Sequence, residues 1–140
     1  MTAKEYLEKV WDLESRVESK LYQVQSLREL ATNACGRLSG MPRNPSPDLQ
    51  PISNIVAKIT DLEKEADDAV DELVDYKREV SDTLSQIGYP YGRLLEFRYF
   101  DRKKWHEICK ELKYSSASIQ RFHTKALQLI DERLINYDTR

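Results

Sequence analysis

The residues of this sequence best suited to recognising another molecule lie in the stretch KYSSASIQRFHTKAL, from Lys113 to Leu127. The stretch combines serines with a glutamine, an arginine and lysines, set between apolar residues. In the major groove of duplex DNA, glutamine pairs well with adenine and arginine with guanine, while hydroxyl and ammonium groups hold phosphates. If these side chains share the exposed face of a helix, the stretch is typical of a surface that reads DNA.

The apolar residues after Ser115 predict which side chains face outward. Ser115 is a good N-cap, and the apolar residues that follow recur at helical spacing. The predicted buried side comprises Ile119, Phe122, Ala126, Leu127 and Ile130. The predicted outward side comprises Ser116, Ala117, Ser118, Gln120, Arg121, His123, Thr124 and Lys125. This division favours DNA contact, and the alternative is a helix that only packs, with a solvated polar face.

A shorter helix is predicted just before this one, in KKWHEICKELK, with Asp101 as its N-cap. Its apolar face comprises Trp105, Ile108, Cys109 and Leu112. Lys113 and Tyr114 leave room only for a tight turn before Ser115. Two short helices joined by such a turn are typical of a helix-turn-helix, and Cys109 is compact enough for the helices to approach closely there.

Positive charge is concentrated in the C-terminal part of the chain. Residues 1–87 carry 11 basic and 17 acidic side chains, a net charge of −6, whereas residues 88–140 carry 11 and 7, a net charge of +4. Basic residues neutralise phosphates and supply most of the affinity of small DNA-binding modules. The cations near the two short helices are Arg93, Arg98, Arg102, Lys103, Lys104, Lys110 and Lys113. Of these, we predict Lys103, Lys104 and Lys113 as DNA contacts.

Two long helices are predicted to precede this module. Apolar residues follow three- and four-residue spacing from Tyr6 to Leu38 and again from Ile52 to Ile87, which is typical of amphipathic helices. The segment between them, from Ser39 to Pro51, holds four of the chain's five prolines, so both helices are expected to stop there. The chain from Ala3 to Ile87 is therefore predicted to form an antiparallel helical hairpin.

The glycines and proline of GYPYG, Gly88 to Gly92, mark the end of the hairpin. The predicted fold is all-α, with a long, coiled-coil-like hairpin over residues 1–88 followed by a helix-turn-helix domain over residues 89–140. Two apolar stripes on two helices leave some apolar surface uncovered. Either the C-terminal part or a second copy covers it, and a homodimer through the hairpin is the favoured alternative.

The carboxylates of EKEADDAVDE, Glu63 to Glu72, resemble a metal or acid–base site in composition alone. Such a site needs carboxylates aimed inward beside another ligand, whereas Asp67 with Asp71, and Glu65 with Asp68, are expected to face away from the apolar seam. They are interpreted as a solvated face. No metal, cofactor or catalytic group is expected, and the protein is predicted not to be an enzyme.

The cysteines and the N-terminus indicate the cellular compartment. Cys35 and Cys109 are far apart and lack a CxxC partner, so both are expected to be reduced and buried. The sequence has no apolar run of membrane-spanning length, and MTAKEYLEKV lacks the positive-then-apolar order of a signal peptide. A cytoplasmic protein without membrane contact is expected.

The segment WHEICKELKYSSASIQRFHTKAL, Trp105 to Leu127, resembles region four of bacterial sigma factors. The shared pattern is an E-I pair, a leucine, a turn ending in serine, and a helix closing in K-A-L. Together with RLLEFRYF, Arg93 to Phe100, the segment is more similar to the RinA and ArpU type transcriptional regulators of phages of Gram-positive bacteria. These proteins place a sigma-like helix-turn-helix behind a helical N-terminal part. The resemblance covers the last third of the chain and implies control of phage gene transcription, often of late genes, in the bacterial host cell.

The resemblance also implies which residues touch DNA. It places the recognition helix at about 116–133, with contacts from Ser116, Ala117, Ser118, Gln120, Arg121 and Lys125. Sigma factors usually have glycine in the turn where this chain has Lys113, so either the turn differs or Lys113 adopts a left-handed backbone conformation. Sigma factors are also richer in arginine and glutamate where residues 116–118 stand, so a standard promoter element is not the expected target.

Two other functions stay open. In the first, the basic C-terminal part docks on RNA polymerase or on a host sigma factor, and DNA specificity lies elsewhere. In the second, the chain is a structural or inhibitory adaptor whose hairpin captures another protein's helix. A hairpin that waits for a foreign partner is expected to be monomeric or poorly soluble.

Overall fold

The described part of this chain is almost entirely helical. The computed structural model describes residues 1–39 and 50–138, and within them it contains no β-strand. The α-helices are α1 (Ala3–Ser39), α2 (Gln50–Ile87), α3 (Tyr91–Leu95), α4 (Trp105–Leu112) and α5 (Ser116–Asp138), and α3 continues into a π-helical turn, Glu96–Phe100. The predicted all-α fold is confirmed.

The two long helices begin and end close to where the apolar spacing and the prolines place them. α1 ends at Ser39, and α2 begins at Gln50 with Pro51 in its first turn, where a proline removes no helical hydrogen bond. The remainder of the predicted linker, residues 40–49, and the side chain of Cys35 lie outside the described residues. In the part of the chain that the structure describes, every helix is too short or too polar to cross a lipid bilayer.

The chain divides into two compact units, and both long helices contribute to each. The first unit comprises Met1–Leu13 and Leu73–Arg140, and the second unit comprises Glu14–Glu72. This division cuts through α1 and α2, so it does not coincide with the domain boundary predicted at residue 88.

In the second unit, the segments of α1 and α2 run antiparallel to each other. Val17, Val24, Ala66 and Ala69 are buried between them. Ion pairs flank this seam, from the Arg16 guanidinium to the Glu72 carboxylate at 3.3 Å, from the Lys20 ammonium to Glu65 at 2.9 Å, and from Arg28 to Glu63. Exposed pairs of this kind contribute roughly 0–1 kcal/mol each, so the buried aliphatic side chains stabilise the pairing and the charges set its register.

The core of the first unit gathers side chains from all five helices. Its largest fully buried side chains are Leu7 and Val10 of α1, Val80 and Leu84 of α2, Leu94 and Leu95 of α3, Ile108 of α4, and Ile119 and Ile130 of α5. Residues after the hairpin therefore cover part of the apolar surface of the long helices, which is one of the two predicted ways of covering it. At the end of this core, the backbone N–H of Ala3 donates to the Asp131 carboxylate at 2.6 Å, so α5 caps the N-terminus of α1.

The prediction that Asp101 caps α4 is wrong. Asp101 has helical backbone angles and closes the π-helical turn, its N–H donating to the Glu96 carbonyl at 3.1 Å. Arg102 then takes a positive φ of 54°. The extended cap residue is Lys104, whose backbone N–H donates to the Glu107 carboxylate at 3.3 Å. The helix starts later because the wider π-helical turn uses Asp101 to end the preceding element.

The tight turn between α4 and α5 follows one of the two alternatives that the sequence allows. Lys113 adopts the left-handed conformation, with φ 62° and ψ 41°, and ends α4. The N–H groups of Lys113 and Tyr114 both point at the Cys109 carbonyl, the second at 3.2 Å. Ser115 then caps α5, since the Ser118 N–H donates to its hydroxyl at 3.2 Å. The turn thus satisfies the backbone groups at the end of one helix and the start of the next.

Replacing Ser115 with alanine is expected to lower the free energy of unfolding by about 1 kcal/mol, because the cap of α5 is lost. Urea titration followed by circular dichroism measures the change. Ser116→Ala is the matched control, since its hydroxyl lies one residue further on and does not serve as the cap. A loss of equal size in both variants would contradict the capping role.

Candidate nucleic-acid interface

The exposed face of α5 forms a shallow groove on the first unit. The groove has a volume of about 320 Å³ and is lined by Gln120, Arg121, Thr124, Lys125 and Gln128. Ala117 and Ser116 continue the exposed surface towards the start of the helix. Because Ile119, Ala126 and Ile130 are fully buried on the opposite side, the rotation of α5 about its axis is fixed, and these polar side chains are held outward.

The charge of this face is uniformly positive over its first four turns. Between Glu111 and Asp131 the sequence contains no acidic residue, while Arg121 and Lys125 both lie in the groove. Acidic residues return with Asp131 and Glu132. A phosphate backbone can therefore approach the first four turns of α5 without meeting a carboxylate on that helix.

Arg121 is tied to the start of α5 by a short chain of hydrogen bonds. Its guanidinium donates to the Ser118 hydroxyl at 3.3 Å, and the Ser115 and Ser118 hydroxyls are 3.0 Å apart. Ser118, predicted to contact DNA, is half-buried and takes part in this cap. Its role in the structure is to hold the Arg121 guanidinium beside the first turn, which reduces the conformational freedom that binding would remove.

The prediction that His123 faces outward is wrong. Its ring is half-buried, with Nε2 3.2 Å from the Tyr99 hydroxyl and its centroid 4.8 Å from that of Trp105. Tyr99 in turn stacks on Trp11 at 5.1 Å. These four rings form an aromatic cluster that joins α1, the π-helical turn, α4 and α5. The helical spacing indicates this position, because His123 lies four residues after the buried Ile119 and therefore near the buried side of α5.

The surroundings of His123 keep its ring neutral near pH 7. Burial lowers the pKa of His123, and the nearby charges of Arg98 and Lys4 lower it further. Burial also raises the pKa of Tyr99, and the carboxylate of Glu8 adds to this effect. The Tyr99 phenol is therefore protonated and can donate its hydrogen bond to Nε2 of a neutral His123.

The unfolding free energy is expected to fall as the pH drops below about 6.5, because the unfolded chain then takes up a proton at His123 that the folded chain resists. This loss stops once the pH passes the lowered pKa of the folded state. Denaturation titrations at pH 7.5 and 5.5 measure it. The decrease is expected to be smaller in His123→Gln and unchanged in His106→Gln, whose ring is exposed. An unchanged decrease in His123→Gln would contradict the assignment.

The predicted phosphate-binding lysines differ in their exposure and in the contacts that they already make. Lys104 and Lys113 are exposed. Lys103 is half-buried, with its ammonium 4.3 Å from the centre of the Phe97 ring and 3.6 Å from the Glu111 carboxylate. The Phe97 ring and the carboxylate already neutralise and partly desolvate that ammonium, so Lys103 is the least accessible of the three.

Several of the arginines near the two short helices also stabilise the fold. The Arg98 guanidinium lies 4.6 Å from the Trp105 ring centre and donates to the Lys103 carbonyl at 3.2 Å. The Arg93 guanidinium lies 4.3 Å from the Phe97 ring centre and 2.9 Å from a Glu96 carboxylate oxygen. Cation–π contacts of this kind position the turns around α4. These two guanidinium groups therefore take part in packing and are less available to bind another molecule.

Neither a family model, nor a curated protein, nor a solved structure matches this chain. The resemblance of the C-terminal segment to phage regulators therefore stays a prediction, and the geometry of α5 is the basis for any functional assignment.

Gln128 is not among the residues that the sequence predicts for this face. It lies on the exposed face in line with Ala117, Arg121 and Thr124, at the spacing that keeps residues of a helix on one side. The contacts that the resemblance implies end at Lys125 and do not include Gln128. The same spacing, extended by one turn, would have identified Gln128.

Acidic and thiol groups do not form a second site in the described residues. Within residues 1–39 and 50–138, carboxylate, imidazole and thiol groups do not gather in threes around a possible metal position. Glu65, Asp67, Asp68 and Asp71 are exposed, as the seam of α2 predicts. Cys109 is half-buried and not in a disulfide.

Proposed function

We propose that this protein binds duplex DNA through the exposed face of α5 and regulates transcription, as the phage RinA and ArpU type regulators do. The observation that carries the proposal is the composition of the exposed face of α5. From Ser116 to Gln128 it presents hydroxyl, amide and guanidinium groups without an acidic residue. At about 1.5 Å per residue this stretch is roughly 18 Å long, a length that a recognition helix can lay in a major groove.

The surroundings of α5 support this proposal. α4, the left-handed Lys113 and α5 with its Ser115 cap supply the two helices and the tight turn expected of a helix-turn-helix, and buried apolar residues fix the second helix. A rigid support for the reading helix is what sequence recognition requires, because base contacts depend on the placement of donors within fractions of an ångström. The proposed domain over residues 89–140 contains all of these elements.

The side chains take separate roles in this proposal. Gln120, Arg121 and Gln128 read base edges, with Thr124 and Ala117 available for shorter contacts in the groove. Ser116, Lys125, Lys104 and Lys113 hold phosphates. Ser118 orients Arg121, and Lys103 acts mainly in packing α4. The protein works in the cytoplasm of a bacterial host, and two copies would read half-sites separated by one or more helical turns.

Fluorescence anisotropy tests the proposal most directly. Purified protein is titrated against labelled intergenic fragments of its own genome and against a scrambled fragment, at several salt concentrations. Preference for one fragment that persists as salt rises is expected of a sequence-reading regulator. Weak binding to all fragments that vanishes with salt would contradict it, since this behaviour marks an electrostatic patch without base recognition.

A protein partner is the second candidate, and the acidic surface of α2 favours it. Asp61, Asp68, Asp71 and Glu72 are all exposed, and a surface of this charge repels a phosphate backbone. RNA polymerase or a sigma factor docked on the protein would complement DNA binding or replace it. A pull-down of host RNA polymerase that survives nuclease treatment would support this candidate.

A further inference from the structure

Aliphatic side chains stay exposed along one edge of the second unit. Leu21 is 51% exposed and Val70 is 36% exposed. Leu21 lines a groove of about 500 Å³ together with Arg28 and Glu63, and Val70 lies one heptad from Glu63, hence on the same edge of α2. We call this the groove edge, comprising Leu21, Arg28, Glu63, Asp67 and Val70.

Ion pairs between α1 and α2 line the opposite edge of the second unit. There Arg16 pairs with Glu72, and Lys20 pairs with Glu65. Leu30 lies two heptads from Arg16 and so belongs to this opposite edge, where it is 53% exposed. Each edge thus has one exposed leucine, and the groove edge also has an exposed valine.

The antiparallel pairing places residues of α1 and α2 at matching levels. Arg28 is level with Glu63, as their ion pair shows. One heptad away along each helix, Leu21 and Val70 lie on the same stretch of this edge. A two-fold axis parallel to the helices would therefore bring α1 of one copy against α2 of the other without changing these levels.

We propose that the groove edge is the interface of a homodimer with this symmetry. Leu21 of one copy packs on Val70 of the other, and this happens twice. Arg28 is the cation among the groove-lining residues, and Glu63 and Asp67 are the anions. Each guanidinium, which already pairs with Glu63 of its own chain, then also faces the carboxylates of the other copy. Charge complementarity and aliphatic packing therefore favour the same arrangement.

This inference goes beyond the proposed function and does not depend on it, since the dimer would form without DNA. The mass of the full-length protein in solution is the first test, by analytical ultracentrifugation over a range of concentrations. The expected species is a dimer of the 16.4 kDa chain. A protein that stays monomeric at every concentration would overturn the proposal.

Two charge substitutions test the edge itself. Leu21→Glu and Val70→Glu are each expected to weaken dimerisation on the order of tenfold or more, because each places two carboxylates in the apolar contact. Leu30→Glu is the matched control, with the same change at a leucine of nearly the same exposure on the opposite edge. Circular dichroism verifies that all three variants remain helical. Dissociation by Leu30→Glu alone, or by all three variants equally, would overturn the assignment.

Cross-linking tests the symmetry. Single-cysteine chains with Leu21→Cys or Val70→Cys are prepared in a background of Cys35→Ser and Cys109→Ala, then mixed and oxidised. Mixed disulfide dimers are expected, because the two-fold axis sets Leu21 against the other copy's Val70. Efficient cross-linking of the Leu21→Cys chain with itself, and none in the mixture, would overturn the proposed orientation.

Discussion

Replacing Gly92 with alanine is expected to lower the free energy of unfolding by about 3 kcal/mol, at the upper end of what overpacking typically costs. A Cβ atom at this position would lie 2.3 Å from the backbone carbonyl oxygen of Leu84 and 3.1 Å from its carbon. The obstacle is backbone inside α2, so no side-chain rotation relieves it. α3 and α2 must separate, and the fully buried Leu84, Leu94 and Leu95 then lose contacts.

Gly88→Ala is the matched control for this measurement, since it makes the same change in the same turn. Gly88 has a φ of 78°, and an added Cβ there meets no atom within 4 Å. Its expected cost is about 1–2 kcal/mol, from the left-handed conformation alone. Urea denaturation followed by circular dichroism measures both variants. A smaller loss in Gly92→Ala than in Gly88→Ala would mean that α3 does not approach Leu84 so closely in solution.

Replacing Arg121 with alanine is expected to lower the affinity for the preferred DNA by about 1–3 kcal/mol and to flatten the preference between sequences. Arg121 lies in the groove of α5, and its guanidinium is held beside the first turn by Ser118. A guanidinium in this position can donate two hydrogen bonds to one guanine. Its loss removes discrimination at that base together with part of the affinity.

Lys104→Ala is the comparison for Arg121→Ala, because Lys104 is an exposed cation outside the α5 face. It is expected to weaken preferred and scrambled DNA alike and to reduce the salt dependence by about one phosphate contact. Anisotropy titrations with both fragments at several salt concentrations separate the two effects. Equal losses on preferred and scrambled DNA in both variants would contradict the assigned roles, and thermal melts would show whether either variant is unfolded.

Features determined by local sequence could be predicted. The apolar spacing identified α1 and α2, and the serine before the apolar residues of α5 identified its cap, because the cap lies within three residues of its partner. The absence of glycine at Lys113 left two possible turns, and the structure adopts the left-handed one. In each case the deciding interactions join residues close in sequence, where periodicity and capping rules apply.

Features determined by distant contacts could not be predicted in the same way. The π-helical turn, which ends in Asp101 and leaves Lys104 as the N-cap of α4, contains the buried Phe97 and Tyr99. Lysine and histidine are usually found at the surface, yet aromatic rings from other elements cover part of Lys103 and of His123. The division between compact units within α1 and α2 has no local signal, because the apolar spacing continues while the neighbours of the helix change.

The aromatic cluster of Trp11, Tyr99, Trp105 and His123 makes the protein its own optical probe. The chain has two tryptophans, and both lie in this cluster, one stacked on Tyr99 and the other against the ring of α5's His123. Indole emission excited above the absorption band of nucleic acids therefore reports on how α5 is seated. A change in emission on adding DNA would reveal movement of α5 without any attached dye.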